Sequence, residues 1–170
     1  MKLTLWCEKI LFEGLKIIMS NIVIYDSEYG NTEKIAQAIA KSIPSVKLFR
    51  VNEVNIKDLK GIDLLVVGSP TQAGRATEDL QEFLESIPKG TLTDVKVAAF
   101  DTRFSEKDSN FVLRLIIKTF DYAASKIAKT LESAGGKPVL QPEGFIVMGK
   151  EGPLAEGELE RAKLWGSKLI

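Results

Sequence analysis

The 170-residue sequence contains no histidine and a single cysteine, Cys7. The first absence excludes His general-base catalysis, Ser-His-Asp and Cys-His nucleophile systems, and every His-containing zinc site. The second excludes disulfide frameworks and cysteine clusters. An excess of one charge is lacking too. Lys plus Arg and Asp plus Glu number 23 each, so no net field favours a polyanion such as nucleic acid and no acidic excess favours disorder. Long apolar runs are missing: Glu8, Lys9, Glu13 and Lys16 interrupt the N-terminal hydrophobics, and Arg114 and Lys118 interrupt residues 111–120. No segment therefore reads as a secretory leader or a membrane span, and a cytoplasmic protein is expected. What remains is carboxylate, Lys, Tyr or Ser chemistry, or chemistry carried by an organic cofactor. With 45% hydrophobic and 27% charged residues, the chain has the balance of one compact domain.

Leu3, Cys7, Ile10, Leu11, Leu15 and Ile18 fall near helical spacing. Met19, however, directly precedes a complete strand-and-loop unit, residues 21–32. We read 1–18 as an N-terminal extension and 19–170 as the domain.

The β-branched run 22–25 reads as a first buried strand, and 32–42 as a helix capped by Asn31 or Thr32, with Pro44 soon after its end. Residues 46–50 and the apolar run 62–67, closed by Gly68-Ser69-Pro70, are the next strands. Residues 77–87 form a helix with Leu80, Phe83, Leu84 and Ile87 on one face and Glu78 and Asp79 in its first turn. A fourth strand spans 95–100 and a polar loop 101–109, and 110–134 has a long helical pattern stopped by Gly135-Gly136 and Pro138. Residues 139–140 and 145–148 look like one edge strand interrupted around Pro142 and Gly144. A last helix, 155–169, carries Leu159, Ala162 and Trp165 as an inward stripe. Strands alternate with helices five times, the order of a doubly wound α/β sheet.

In such a sheet, ligands bind beyond the carboxyl ends of the strands. Three loops occupy that end: 26–31, 68–76 and 101–109. The first joins a strand to a helix N-terminus as Ser27-Glu28-Tyr29-Gly30-Asn31-Thr32. Two hydroxyls flank a stretch in which Gly30 permits a tight turn, so backbone N–H groups can converge with the helix dipole on a phosphate. The same loop also suits a well-capped helix start and nothing more. A dinucleotide fingerprint and a Walker loop both fail, since the loop has one glycine and Gly136-Lys137 is followed by proline. A receiver domain fails as well, because Gly68-Ser69 stands where a phospho-accepting aspartate is required.

Residues 22–40, IVIYDSEYGNTEKIAQAIA, and 64–84, LLVVGSPTQAGRATEDLQEFL, resemble the phosphate loop and second loop of flavodoxin-like proteins, and the resemblance runs in order over 21–170. It implies a three-layer doubly wound sandwich with a five-stranded parallel sheet, order 2-1-3-4-5, binding FMN. It places the FMN phosphate on Ser27, Glu28, Tyr29, Gly30, Asn31 and Thr32. The isoalloxazine ring would lie between Ser69, Pro70, Thr71, Gln72 and Gly74 on one side and Asp101, Thr102, Arg103 and Phe104 on the other. The Ser-x-Tyr-Gly-Asn-Thr form is closer to the flavodoxin domains of multidomain flavoproteins than to short electron carriers.

The sequence departs from that pattern in aromatics and in charge. Trp6 lies in the extension, Trp165 in the last helix, and the second loop has no aromatic residue, leaving Phe104 as a ring-stacking substitute or an apolar anchor. Arg75 and Arg103 sit in the two ring loops, where a free cation would favour the reduced, anionic flavin. Asp94, Asp101, Glu106 and Asp108 lack a metal-ligand spacing, so no metal site and no catalytic acid or base is assigned. Residues 144–154 read as turn chemistry. An exposed part of the 116–131 stripe or of Trp165 would offer a homodimer face. The expected function is FMN-based electron transfer with a redox partner protein or a small-molecule acceptor. An FMN-dependent NAD(P)H:quinone-type oxidoreductase and a flavin-free interaction module stand as alternatives.

Overall fold

The structure, a computed structural model, describes residues 20–104 and 122–170. The extension 1–18 and the polar and apolar residues between 105 and 121 fall outside them. Short runs rich in β-branched residues form the strands: β1 (Asn21–Tyr25), β2 (Val46–Arg50), β3 (Leu64–Pro70), β4 (Lys96–Phe104), β5 (Lys137–Pro138) and β6 (Glu143–Val147). Helices α1 (Asn31–Ala40), α2 (Glu78–Glu85), α3 (Ala123–Ser133) and α4 (Glu158–Gly166) follow the apolar periodicity. Two 3-10 turns, Val51–Glu53 and Ile56–Leu59, connect β2 to β3 in place of a helix.

The strands are all parallel in the order β2-β1-β3-β4-β5, with β6 pairing β4. The edge is thus one interrupted strand, as the prolines and glycine predict. β5 pairs the start of β4, Lys96 against Lys137, and β6 pairs its end, Phe100 against Glu143 through Phe104 against Val147. That second pairing corrects the expected loop at 101–109. Asp101, Thr102, Arg103 and Phe104 are strand residues because β6 pairs all four and β3 pairs the first two.

Alternate residues of each strand serve opposite layers. Ile22, Ile24, Leu65, Val67, Val97 and Ala99 pack with α2, α3 and the 3-10 turns through Leu80, Leu84, Ile127, Leu131 and Leu59. Val23, Tyr25, Leu64, Val66, Ala98 and Phe100 pack with α1 and α4 through Ile35, Ile39, Ala162, Trp165 and Leu169. Each large side chain so buried contributes about 1.5–3 kcal/mol. Phe100, Phe145 and Trp165 meet edge to face, with centroids 6.1–6.3 Å apart. Trp165 is therefore core, as are Ile127 and Leu131, and none of them offers a dimer face.

Three helix boundaries differ from expectation. Of the expected helix 110–134, residues 110–121 lie outside the described residues; Tyr122 is extended and α3 begins at Ala123. Its first amides are claimed by side chains from other elements: Ala123 N–H donates to Thr71 Oγ1 at 3.2 Å and Ala124 N–H to Asp101 Oδ2 at 2.9 Å. α4 starts three residues late, behind Gly157 in a left-handed conformation. Leu159 is then 42% exposed and Glu158 turns inward instead, accepting the Ile146 N–H at 2.8 Å and pairing with Arg161. α1 is capped by neither Asn31 nor Thr32, since its N-cap is Gly30 at φ 80 with no side-chain hydrogen bond.

Candidate functional site

The carboxyl ends of β1, β3, β4 and β6 open on a cavity of about 520 Å³, within the range of cofactor sites. Its floor is the β1–α1 loop. Ser27, Glu28, Tyr29, Asn31 and Thr32 line it. Gly30 does not; a Cβ there would meet nothing within 4 Å, so its role is the left-handed φ that turns the chain into α1. Arg50, at the end of β2, braces the loop by donating from Nη2 to Ser27 O at 2.7 Å and from Nε to Asp26 Oδ1 at 3.3 Å. Asp26 in turn accepts the Ser27 N–H at 2.8 Å.

The β3–α2 loop forms one wall with Pro70, Thr71, Gln72 and Ala73. Gln72 and Arg75 exchange backbone hydrogen bonds of 2.8 and 2.9 Å around Ala73 at φ 47 and Gly74 at φ 76. Gly74 therefore serves the turn and does not line the cavity, while Ala73 holds a conformation that costs a non-glycine residue energy. Ser69 is buried beneath the loop, where its Oγ accepts the Thr77 N–H at 3.0 Å. Gln72 Nε2 reaches across the mouth to Glu28 Oε2 at 2.5 Å, tying the two loops together.

β4 supplies Thr102, Arg103 and Phe104 to the opposite wall. Thr102 Oγ1 shares a 2.8 Å hydrogen bond with Thr32 Oγ1. Phe104 is 49% exposed, so it is no anchor in the core and stands as the aromatic at the rim. Asp101 is fully buried and does not line the cavity, pairing with Arg103 rather than serving its own loop's amides. Burial pushes its carboxyl above the ordinary range, opposed by Arg103, the Ala124 amide and Thr71. The expected free cation of the third loop is thus a paired one. Arg75 lies outside the lining residues.

Val147 and Lys150, from β6 and the turn after it, complete the lining and were not among the residues singled out from sequence. The rule that ligands sit beyond strand carboxyl ends applies equally to the last strand, and a lysine there was the available signal. This turn is docked on the first loop: Asn31 Nδ2 donates to Glu151 O at 3.0 Å, and a Cβ on Gly152 would fall 2.6 Å from that same nitrogen. Lys150 Nζ lies 5.7 Å from the Tyr29 ring centroid. The Tyr29 hydroxyl and the Glu28 charge raise its pKa above that of an ordinary lysine.

FMN carries a dianionic phosphate, a polyol and a flat ring, and the cavity can be tested against each. Ser27 Oγ is buried and has no hydrogen-bond partner, which a phosphate oxygen would supply. It stands beside a helix N-terminus whose amides no side chain caps. The walls end in apolar and aromatic groups, Pro70, Phe104 and Val147, suited to a ring. The residues present fit the cofactor. Bound FMN supplies one- and two-electron chemistry; the protein binds it, orients it and sets the charge around it. Asp94 pairs with Lys137 before β4, whereas Asp101 lies near the end of that strand, so the two do not share a metal site. No helix among the described residues is long and apolar enough to cross a membrane.

Comparison with known proteins agrees with this geometry. The chain is 30% identical over 157 residues to a flavodoxin of Aquifex aeolicus, an alignment covering 87% of this chain and 83% of that protein. Oxidised flavodoxin 1 from Bacillus cereus superposes with a TM-score of 0.69 at 21% identity, over 88% of this chain and 96% of that one. The flavodiiron core of Flv1 from Synechocystis sp. PCC6803 matches 99% of this chain with 39% of its own, at a TM-score of 0.64 and 21% identity. The Flavodoxin family model covers residues 23–165, and the chain belongs to the flavodoxin family of FMN-binding electron-transfer proteins.

Proposed function

We propose that this flavodoxin holds the FMN phosphate on the Ser27–Thr32 loop and the ring between Pro70–Ala73 and Thr102–Phe104, and passes electrons between separate cytoplasmic redox partners. The observation that carries this reading is the buried, unpartnered Ser27 hydroxyl beside the uncapped α1 N-terminus. An orphaned buried hydroxyl costs roughly 1–3 kcal/mol, a cost relieved when it donates a hydrogen bond to a phosphate oxygen. No side chain is given a proton-transfer role. A carrier of this kind shows no steady-state NAD(P)H oxidation with a quinone alone and turns over once a flavodoxin reductase is added. Turnover with quinone and NAD(P)H in the absence of a reductase would make the protein an oxidoreductase instead.

Lys150 adds a cation to a phosphate loop that has none of its own. Exposed charges are screened and weak, so Lys150→Gln is expected to weaken FMN binding by roughly three- to fivefold and to flatten its salt dependence. Riboflavin, which has no phosphate, is expected to bind the variant and the native protein alike. An equal loss for both flavins would place Lys150 against the ring or the polyol.

A further inference from the structure

Arg103 is held by more contacts than a wall residue needs. Its Nε donates to Asp101 Oδ1 at 2.5 Å and its Nη2 to Asp101 Oδ2 at 2.9 Å, a bidentate pair. Its Cζ lies 3.6 Å from the centroid of the Tyr122 ring. Gly144 on β6 leaves room for the guanidinium in this position, since a Cβ there would fall 2.2 Å from Nε. The two partners differ in exposure: the Asp101 side chain is fully buried, whereas that of Arg103 is 18% exposed and lines the cavity. Asp101 is fixed further by the Ala124 amide at the start of α3. A guanidinium on the cavity wall is thus matched by a carboxylate directly behind it.

We propose that Asp101 cancels the charge of Arg103 at the wall of the FMN cavity, and so keeps the bound flavin a stronger reductant than an unpaired arginine would allow. The inference rests on the reading that FMN occupies this cavity. At neutral pH, reduction leaves the flavin ring with added negative charge, which a nearby unpaired cation stabilises and a neutral ion pair does not. The bidentate geometry and the Tyr122 ring against the guanidinium hold Arg103 to its partner, in space that Gly144 leaves open.

The test compares the affinities for reduced and oxidised FMN, obtained from the reduction potential of the reconstituted protein by dye equilibration. Asp101→Asn keeps the size of the side chain and an acceptor for the Ala124 amide but removes the charge. It is expected to raise the reduced-to-oxidised affinity ratio by about tenfold, about 30 mV for a two-electron couple. The double variant Asp101→Asn/Arg103→Gln, which buries no charge and is the safer fold, is expected to stay within about threefold of the native ratio. An unchanged or lowered ratio in Asp101→Asn overturns the proposal. A tenfold fall in the double variant also overturns it, since it would mean that Arg103 acts as an unpaired cation in the native protein. Failure of the cavity reading itself would look different: the native protein would not bind oxidised FMN when the flavin-free form is titrated with it.

Discussion

Replacing Ser27 by alanine is expected to weaken FMN binding by roughly 10- to 100-fold while leaving the flavin-free protein as stable as before, or more stable by up to about 1 kcal/mol. The two signs come from one atom. In the flavin-free protein, Ser27 Oγ is buried without a partner, and deleting it removes a desolvated polar group. With FMN bound as proposed, the same hydroxyl would donate to a phosphate oxygen, a charge-assisted hydrogen bond worth about 1.5–3 kcal/mol. A merely structural serine would give the opposite pattern, lower stability and affinity reduced only as far as unfolding reduces it. Urea denaturation of the flavin-free protein and fluorescence titration of the same sample separate the two. Riboflavin affinity is expected to change little, because riboflavin has no group to meet this hydroxyl.

The largest effect on stability is expected at Phe100. Its ring is fully buried, touches Phe145 and Trp165 edge to face, and fills the space that Gly68 on β3 leaves open. A Cβ on Gly68 would meet that ring at 2.0 Å. Phe100→Ala removes the centre of this cluster and is expected to cost about 4 kcal/mol, a large share of the 5–15 kcal/mol that holds a domain together. For a chain of this length that loss lowers Tm by roughly 8–16 °C. Gly68→Ala is expected to cost about 3 kcal/mol by overpacking. Combined with Phe100→Leu, whose shorter side chain vacates the contested space, Gly68→Ala is expected to cost at least 1 kcal/mol less than the sum of the two single changes. Strict additivity, measured by denaturant unfolding, would show that the two positions do not share that space.

Much of this was legible in the chain itself. Apolar runs such as 64–67, bounded by Gly68-Ser69-Pro70, mark central parallel strands because both faces of such a strand are covered. The turn into the first helix was legible too, since a glycine between a buried strand and a helical stripe marks a left-handed turn, and Gly30 at φ 80 makes it. What was not legible depended on partners remote in sequence. Asp101–Phe104 read as loop because the strand that pairs them along their whole length is β6, some forty residues on, while β3 reaches only Asp101 and Thr102. Arg103 read as a free cation because its carboxylate partner, two residues away, looked like part of the same polar loop until the strand brought both onto one face. Leu159 read as inward because the helical stripe could not reveal that Glu158 would be turned in by Arg161 and the Ile146 amide. Lys150 sits in a segment whose glycines read as turn chemistry, although it follows the carboxyl end of a strand, where ligands bind.

The central claim is that the Ser27–Thr32 loop grips the phosphate of FMN. It is tested most directly by titrating the flavin-stripped protein with FMN and with riboflavin, following the quenching of flavin fluorescence. The account predicts tight FMN binding and riboflavin weaker by at least 100-fold, since riboflavin forgoes the Ser27 hydroxyl, the α1 amides and Lys150 together. Equal affinity for the two flavins would contradict it, because the loop would then be only the start of a helix.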